Sequence, residues 1–250
     1  MIARAGTVAR ETSLYPGPAS LATLRPMRLA LLLSCLLLIA CGRPLTPEEK
    51  SFATQIHGPS LDVSRIRFNN GALIGETTLK RQKRPRLTCR ERILPEPTSD
   101  TVTVSPAAFV LFNNIFFARD WYAENYLPNY PEAVSLVHAM LFAHEITHVW
   151  QWQNRRQTGY TPLRSASEHR RGADPYLFDI ETSADFLDYG YEQQASIVEE
   201  YVCCTALDPA APRTKRMEKM LRDAFPLGRL HIPETVIIPW KGAKTEGICR

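Results

Sequence analysis

The feature that most constrains this 250-residue chain is a pair of histidines, His144 and His148, with Glu145 beside the first of them. They lie in an apolar segment, residues 134–150, which predicts a helix. Because side chains four positions apart share one face of a helix, both imidazoles can bind a single metal ion. Burying these polar groups without such a partner would be costly. The motif therefore predicts a zinc site with His144 and His148 as ligands and Glu145 as catalytic base.

A catalytic zinc site needs a third protein ligand and one position for water, whose proton Glu145 would remove. The metzincin pattern is excluded because Gln151 and Asn154 stand where it requires glycine and histidine. Two segments match the Glu-x-x-Ala pattern of gluzincins, and they begin at Glu181 and Glu192. Glu192 is preferred because its segment continues as an amphipathic helix. The candidates that remain open for the third ligand are Glu181, Glu199, Glu200 and His169.

Several groups near these segments have two interpretations. Glu199 follows Glu192 by seven residues, which is two turns along one helix face, so it either orients a metal ligand or is an exposed charge. Trp150 and Trp152 either wall a substrate cleft or pack in the interior, and packing is the commoner role of aromatics at this spacing. A hydrolytic site also needs a donor for the oxyanion. The candidates for that donor are Tyr201, His169 and His231.

The segments 144–151 and 191–201 resemble bacterial zinc metallopeptidases of the minimal gluzincin type, in this case a lipoprotein with a His-Glu-x-x-His motif. The resemblance covers residues 100–206. It implies a zincin-like α+β fold in which a small, mostly antiparallel sheet packs against an active-site helix and a second, ligand-bearing helix. It also implies Zn²⁺ held by His144, His148 and Glu192, with Glu145 as general base. The resemblance does not give the substrate, and the motif together with the anchor predicts a peptide or protein of the envelope.

The N-terminal residues predict export. Residues 29–40 form an apolar run that is too short to span a bilayer and fits a secretory signal better than a buried helix. The run ends at Cys41, which predicts lipidation there. We therefore expect residues 1–40 to be a leader whose true start is Met27, residues 41–60 to be a lipidated tether that runs into a possible helix starting at residues 46–49, and residues 61–250 to be a single catalytic domain. Lipid anchoring, with Gly42 after the cysteine, predicts the periplasmic face of the outer membrane in the bacterial envelope.

The charge of the chain gives no indication of a nucleic-acid partner. The formal net charge is +4, and it is nearly neutral without residues 1–40, which carry four arginines and one glutamate. No global basic field therefore favours nucleic acid. The local exception is the basic segment 80–92, which we interpret as a solvated face rather than as a binding site for an anionic partner.

Four cysteines follow position 41, namely Cys89, Cys203, Cys204 and Cys249. An even number in an exported protein predicts two disulfides. Neighbouring cysteines rarely bridge each other, so Cys203 and Cys204 should each pair with Cys89 or Cys249. A zinc site made of cysteines is disfavoured because no Cys-x-x-Cys spacing occurs.

Proline positions and apolar periodicity predict helices at residues 131–155, 191–206 and 213–224. They also predict strands at 101–104 and 109–117 and a hairpin around residues 69–71. Two functions fit these observations. The first is a zinc-dependent metallopeptidase anchored to the envelope, and the alternative is a non-enzymatic lipoprotein in which a structural zinc supports an assembly or binding module.

Overall fold

The computed structural model describes residues 42–72, 79–169 and 174–250, so the predicted leader, Met27 and Cys41 lie outside the described residues. The helices of the described part are α1 (Pro47–His57), α2 (Cys89–Ile93), α3 (Leu136–Gln153), α4 (Arg155–Thr158), α5 (Pro162–Glu168), α6 (Tyr191–Leu207) and α7 (Pro212–Ala224). The strands are β1 (Arg67–Asn70), β2 (Leu79–Gln82), β3 (Thr101–Val104), β4 (Ala108–Leu111), β5 (Asn114–Phe117), β6 (Ala133–Ser135) and β7 (Thr235–Ile237).

Helices α3 and α6 pack against each other at the centre of the fold. Both are enclosed on almost every side, because residues 142–151 of α3 and 194–204 of α6 are all buried. A helix surrounded in this way must satisfy its polar side chains internally. The polar groups on the facing surfaces of α3 and α6 are therefore held in fixed positions. In the described ranges, no helix is both long and apolar enough to cross a membrane.

Helix α1 belongs to the folded body. Thr46 caps it by accepting a hydrogen bond from the Glu49 backbone N–H, and the Glu49 carboxylate accepts one from Thr46 N–H at 2.9 Å. Its apolar face, with Phe52 and Ile56 fully buried, packs against α3. The helix start expected at residues 46–49 is confirmed, whereas the description of residues 41–60 as a tether does not hold for Pro47–His57, whose apolar face is buried against the body. The compact unit begins at Gly42.

The predicted α+β class with small sheets is confirmed. One sheet has the strand order β1-β5-β4, with β1 parallel and β4 antiparallel to β5. An antiparallel pair joins β2 to β3, and a parallel pair joins β6 to β7. The β4–β5 hairpin turns at Phe112, which has a positive φ of 61°.

Two element boundaries differ from the prediction because long-range pairing overrides local pattern. Residues 133–135 form β6 beside β7, so the long helix begins at Leu136 rather than at Pro131. Asn69 and Asn70, where the turn of a hairpin was expected, instead lie within β1, which pairs with β5, more than forty residues later. The second and third predicted helices agree with α6 and α7 to within a residue.

Burial of His57 should make stability depend on pH. Its Nε2 lies 3.2 Å from Thr147 Oγ1, which donates its own proton to Ala143 O, so the ring donates from Nε2. Its Nδ1 is buried and has no hydrogen-bond partner among the described residues. Burial lowers the pKa of His57 from 6.5 to about 3. Below pH 6.5, His57 therefore binds a proton in the unfolded chain but stays neutral in the folded protein. The free energy of unfolding consequently falls as the pH falls.

We expect the free energy of unfolding to fall by about 2 kcal/mol more between pH 7 and pH 5 in the wild type than in His57→Gln. Glutamine keeps an N–H donor for Thr147 but does not titrate. Urea titrations of both proteins at both pH values, with the disulfides intact, measure the change in the free energy of unfolding. Equal pH dependence in both proteins would show that His57 protonates freely in the folded state.

Candidate metal centre

Helix α3 presents one polar stripe toward α6. His144, His148 and Gln151 lie at positions i, i+4 and i+7, so they share one face. Thr147 and Trp150 point the other way, toward α1 and the aromatic core. The imidazole centroids of His144 and His148 are 5.0 Å apart, with their planes at 77°. The helix thus brings the two rings together at one point.

Both rings face the same oxygen of Glu192. Nε2 of His144 lies 3.4 Å from Glu192 Oε2, and Nε2 of His148 lies 3.3 Å from that atom. One donor atom from each of the three residues lies within 4.8 Å of the others, and all three residues are buried. Two imidazole nitrogens and a carboxylate oxygen are a donor set typical of zinc. These residues could hold a metal ion.

The outer nitrogen of each imidazole is held by an acceptor. Nδ1 of His144 lies 3.2 Å from Glu199 Oε2, and Nδ1 of His148 lies 2.8 Å from Gln151 Oε1. The Gln151 amide is oriented by its own donor, because its Nε2 donates to Tyr191 O and to Gln194 Oε1, both at 3.0 Å. Each Nδ1 must therefore carry a proton. Each Nε2 is left as the atom that faces Glu192 and can bind a cation.

Helix α5 fixes the beginning of α6 and hence the position of Glu192. The Glu168 carboxylate accepts hydrogen bonds from the backbone N–H of Tyr191 at 2.8 Å and of Glu192 at 3.0 Å. These bonds satisfy free amides of the first turn of α6. Ser165 Oγ donates to Glu192 Oε1 at 3.4 Å, which leaves Oε2 toward the histidines. Glu192 thus stands at a capped helix start with one oxygen available.

The centre carries an excess of negative charge. Burial by itself would lower the pKa of His144, but Glu192 and Glu199 raise it to about 10. The pKa of His148 is raised for a similar reason, since Glu192 overcomes the effect of burial. Burial would raise the pKa of Glu192, yet the two imidazoles lower it strongly. Carboxylates that draw protons onto both rings would also favour a divalent cation between them.

Glu145 lies beside the ligand pair and is buried. Burial raises the pKa of its carboxyl, and the neighbouring histidines oppose that rise. A buried carboxylate with a raised pKa is a suitable proton acceptor near neutral pH.

The structure separates the alternatives that the sequence left open for the third ligand. Glu181 is exposed and pairs with Arg216. Glu200 is buried but accepts hydrogen bonds from Arg213 and from the Cys89 backbone. Glu199 lies on the outer nitrogen of His144, and His169 Nε2 is 3.8 Å from Glu192 Oε1. Of these candidates and Glu192, only Glu192 faces both Nε2 atoms in the described structure.

Of the residues considered for the oxyanion and for the cleft, His169 lies near the centre, 3.8 Å from Glu192 Oε1, and the others lie elsewhere. The ring of His231 packs against Tyr130, and the phenol of Tyr201 feels the charges of Glu218 and Arg222, so no described contact joins either residue to the histidine pair. Trp150 is fully buried, and its Nε1 donates to Ser60 Oγ at 2.9 Å, so it packs in the core. The ring of Trp152 lies 4.6 Å from that of Phe112 and beneath the Arg155 guanidinium.

Two tyrosines near the histidines were missed by sequence reasoning. The Tyr176 ring lies 5.8 Å from that of His144, and the Tyr160 ring lies 6.3 Å from that of His148. Tyr176 OH is also 3.0 Å from His169 Nε2. Burial raises the pKa of both phenols, and Glu192 raises it further, so both remain protonated donors. Neither has a sequence signal, because each comes from a loop outside the two helices.

The interpretation of the basic segment 80–92 as a solvated face holds for Lys80 and Lys83, which are exposed, but not for three of its arginines. Arg84 forms two hydrogen bonds with Asp174, at 2.6 and 2.8 Å, and lies over the Tyr176 ring. Arg90 donates to Glu199, and Arg92 donates to the backbone oxygen of Ile248. These arginines are bound within the protein because the segment packs along α6.

The four cysteines form two disulfides that attach distant segments to α6. Cys89 is bonded to Cys203, and Cys204 is bonded to Cys249. Cys89, Cys204 and Cys249 are also close enough to surround an ion. Their sulfurs are used in the disulfides, however, and a disulfide offers no thiolate to a metal.

No protein-family profile matches the chain. A similar curated protein is the type VI secretion system spike protein VgrG2b of Pseudomonas aeruginosa, which is 27% identical over 161 residues. That match covers 64% of this chain and 13% of the length of VgrG2b. A similar solved structure is the effector domain of Pseudomonas aeruginosa VgrG2b, with 20% identity and a TM-score of 0.45. The structural match covers 78% of this chain and 94% of that domain.

These findings correct two expectations from the sequence. The resemblance to lipoprotein metallopeptidases of the minimal gluzincin type is wrong, because the similarity found is to a secretion-system spike protein. The expected lipid-anchored location in the outer membrane is also wrong, because the similar protein is a spike protein of a secretion system. The resemblance depended on two short helical segments, and such segments specify the spacing of side chains rather than a family.

Proposed function

We propose that this protein is a zinc-dependent hydrolase that cleaves peptide bonds and acts as an effector domain of a type VI secretion system. The observation that carries the proposal is the convergence of His144 Nε2 and His148 Nε2 on Glu192 Oε2. Structural zinc sites use four protein ligands, whereas catalytic sites use three and leave a position for water. The three-membered group in the described residues supports the catalytic class over a structural zinc in a binding module.

The residues of the site divide the chemistry between them. Bound zinc supplies a Lewis acid that makes water acidic near neutral pH and polarises a carbonyl. The Glu145 carboxylate accepts the proton of the water as its oxygen adds to the peptide carbonyl carbon. The same carboxyl then delivers that proton to the amide nitrogen, and the carbon–nitrogen bond breaks. Tyr176 and Tyr160 keep their phenolic protons and can donate to the developing oxyanion.

The assignment as an effector domain rests on the sequence similarity to VgrG2b. The two disulfides fit a protein that acts in an oxidising compartment after secretion. The substrate we propose is a peptide or a protein. The arrangement of α3, α6 and the small β1-β5-β4 sheet is compatible with a zincin-like fold.

The test is a hydrolysis assay on the full chain with a library of unstructured peptides, in which new termini are read by mass spectrometry. We expect the zinc-loaded protein to cleave peptide bonds, a chelator to abolish cleavage, and one equivalent of Zn²⁺ to restore it. Cleavage that survives complete zinc removal would contradict the mechanism. Absence of cleavage by the zinc-loaded protein would contradict the proposed activity.

A further inference from the structure

We propose that Arg90 is a positioning residue of the metal centre, that it acts through Glu199 on His144, and that the Cys89–Cys203 disulfide holds it in place. The inference rests on the proposed function, since it concerns how the same three ligands are oriented. It gives the basic segment 80–92 and one of the disulfides a role in metal binding.

The contacts form a continuous chain from Arg90 to the ligand. Arg90 Nη1 donates to both oxygens of Glu199, at 3.0 and 3.3 Å. Glu199 Oε2 in turn lies 3.2 Å from His144 Nδ1. On its other side, Arg90 donates from Nε and Nη2 to Glu91 Oε1, both at 3.3 Å. A guanidinium held on two sides leaves the Glu199 carboxylate little freedom to rotate, and the imidazole that it orients is fixed with it.

Charge supports the same conclusion. Glu199 is buried close to the carboxylates of Glu145 and Glu192, whose negative charges repel its own. The Arg90 guanidinium, 3.0 Å from Glu199 Oε2, offsets the cost of burying this carboxylate. Burial likewise disfavours the charged form of Arg90, yet Glu199 and Glu91 raise its pKa. Without Arg90, the buried Glu199 carboxylate would lose its ion-pair partner beside His144.

The disulfide explains how Arg90 stays at this position. Arg90 lies on α2, a helix of five residues, which is too short to be stable alone. Cys89, the residue before Arg90, is bonded to Cys203 on α6, and its backbone N–H donates to Glu200. Cys203 follows Glu199 by four residues, so the attachment point lies one helical turn from the carboxylate that Arg90 binds. The bond therefore fastens the start of α2 next to Glu199.

The second disulfide provides a matched control. Cys204 is adjacent to Cys203 on α6 but is bonded to Cys249 in the C-terminal tail. Removing either bond should lower Tm by a similar amount. Only the bond at Cys89 adjoins Arg90. A change confined to that bond therefore separates local positioning from general loss of stability.

The experiment measures the zinc dissociation constant of the full chain by competition with a chromophoric chelator, together with Tm and the visible spectrum of the Co²⁺-loaded protein. We expect Arg90→Met to weaken zinc binding by about 10–100-fold, with Arg90→Lys recovering part of the loss. We expect the Cys89→Ser/Cys203→Ser variant to weaken zinc binding and to alter the Co²⁺ spectrum. The Cys204→Ser/Cys249→Ser variant should lower Tm with the zinc dissociation constant unchanged.

The outcomes separate this inference from the proposed function. If the wild type binds no zinc, the proposed function fails and the inference fails with it. If the wild type binds zinc and Arg90→Met binds it equally well, the inference alone is overturned. If both double variants weaken zinc binding to the same extent, the disulfide acts through overall stability, and the role given to Cys89–Cys203 is overturned.

Discussion

Replacing Glu145 with glutamine should lower the rate of peptide hydrolysis by about 10²–10⁴-fold while zinc binding is retained. Glutamine has the shape of glutamate but cannot accept a proton from water at neutral pH. The metal ligands His144, His148 and Glu192 are untouched by the change. Rate constants for cleavage of a peptide found in the library assay, with zinc content measured on the same samples, give the comparison.

Glu181→Gln is the control for this substitution. Glu181 is an exposed carboxylate on the same chain, paired with Arg216, and its neutralisation should leave the rate unchanged. A Glu145→Gln protein that holds zinc and hydrolyses at the wild-type rate would remove Glu145 from the mechanism. Loss of zinc together with activity would instead mean that Glu145 helps to hold the metal.

Substituting Glu192 with alanine should release the metal. Its Oε2 is the atom that both imidazole Nε2 atoms face, so its removal takes away one of three donors and the carboxylate that the two rings share. Removing a group that hydrogen-bonds a metal ligand typically weakens metal binding by about 10–100-fold. The loss of zinc affinity in Glu192→Ala should be larger than that. Zinc content after dialysis and the dissociation constant by chelator competition measure the effect.

Two further alanine variants sharpen this prediction. Glu181→Ala changes the other Glu-x-x-Ala segment, which lies on the surface, and should bind zinc like the wild type. Glu199→Ala removes the acceptor on His144 Nδ1 and should have an intermediate effect. If Glu199→Ala lost more zinc than Glu192→Ala, the roles assigned to the two carboxylates would be reversed.

The side chains of the metal centre could be predicted from the sequence because the geometry of a helix depends on residues that are close in the chain. The four-residue spacing of His144 and His148 is sufficient to place both rings on one face of α3. The continuing apolar pattern after Glu192 identified α6 to within a residue at its end. Gln151 was considered only as a departure from another motif. Its position three residues after His148, in a buried helix, was the signal that it contacts that ring.

Groups that come from distant parts of the chain had no such signal. Arg90 reaches Glu199 across more than a hundred residues, and Tyr176 comes from a loop between the helices. A run of basic residues is usually solvated, and this expectation concealed the role of segment 80–92. The presence of Cys89 inside that run was the available indication that it is attached to the body. The similarity to VgrG2b was also beyond reach, since two short motifs do not specify ancestry.

The most direct test of the account is a crystal structure of the protein grown with Zn²⁺, with anomalous diffraction recorded on both sides of the zinc absorption edge. The account predicts one strong anomalous peak bounded by His144 Nε2, His148 Nε2 and a carboxylate oxygen of Glu192, with Glu199 and Gln151 behind the two rings. A zinc peak elsewhere in the protein, or a fourth protein side chain completing the coordination at this site, would contradict it.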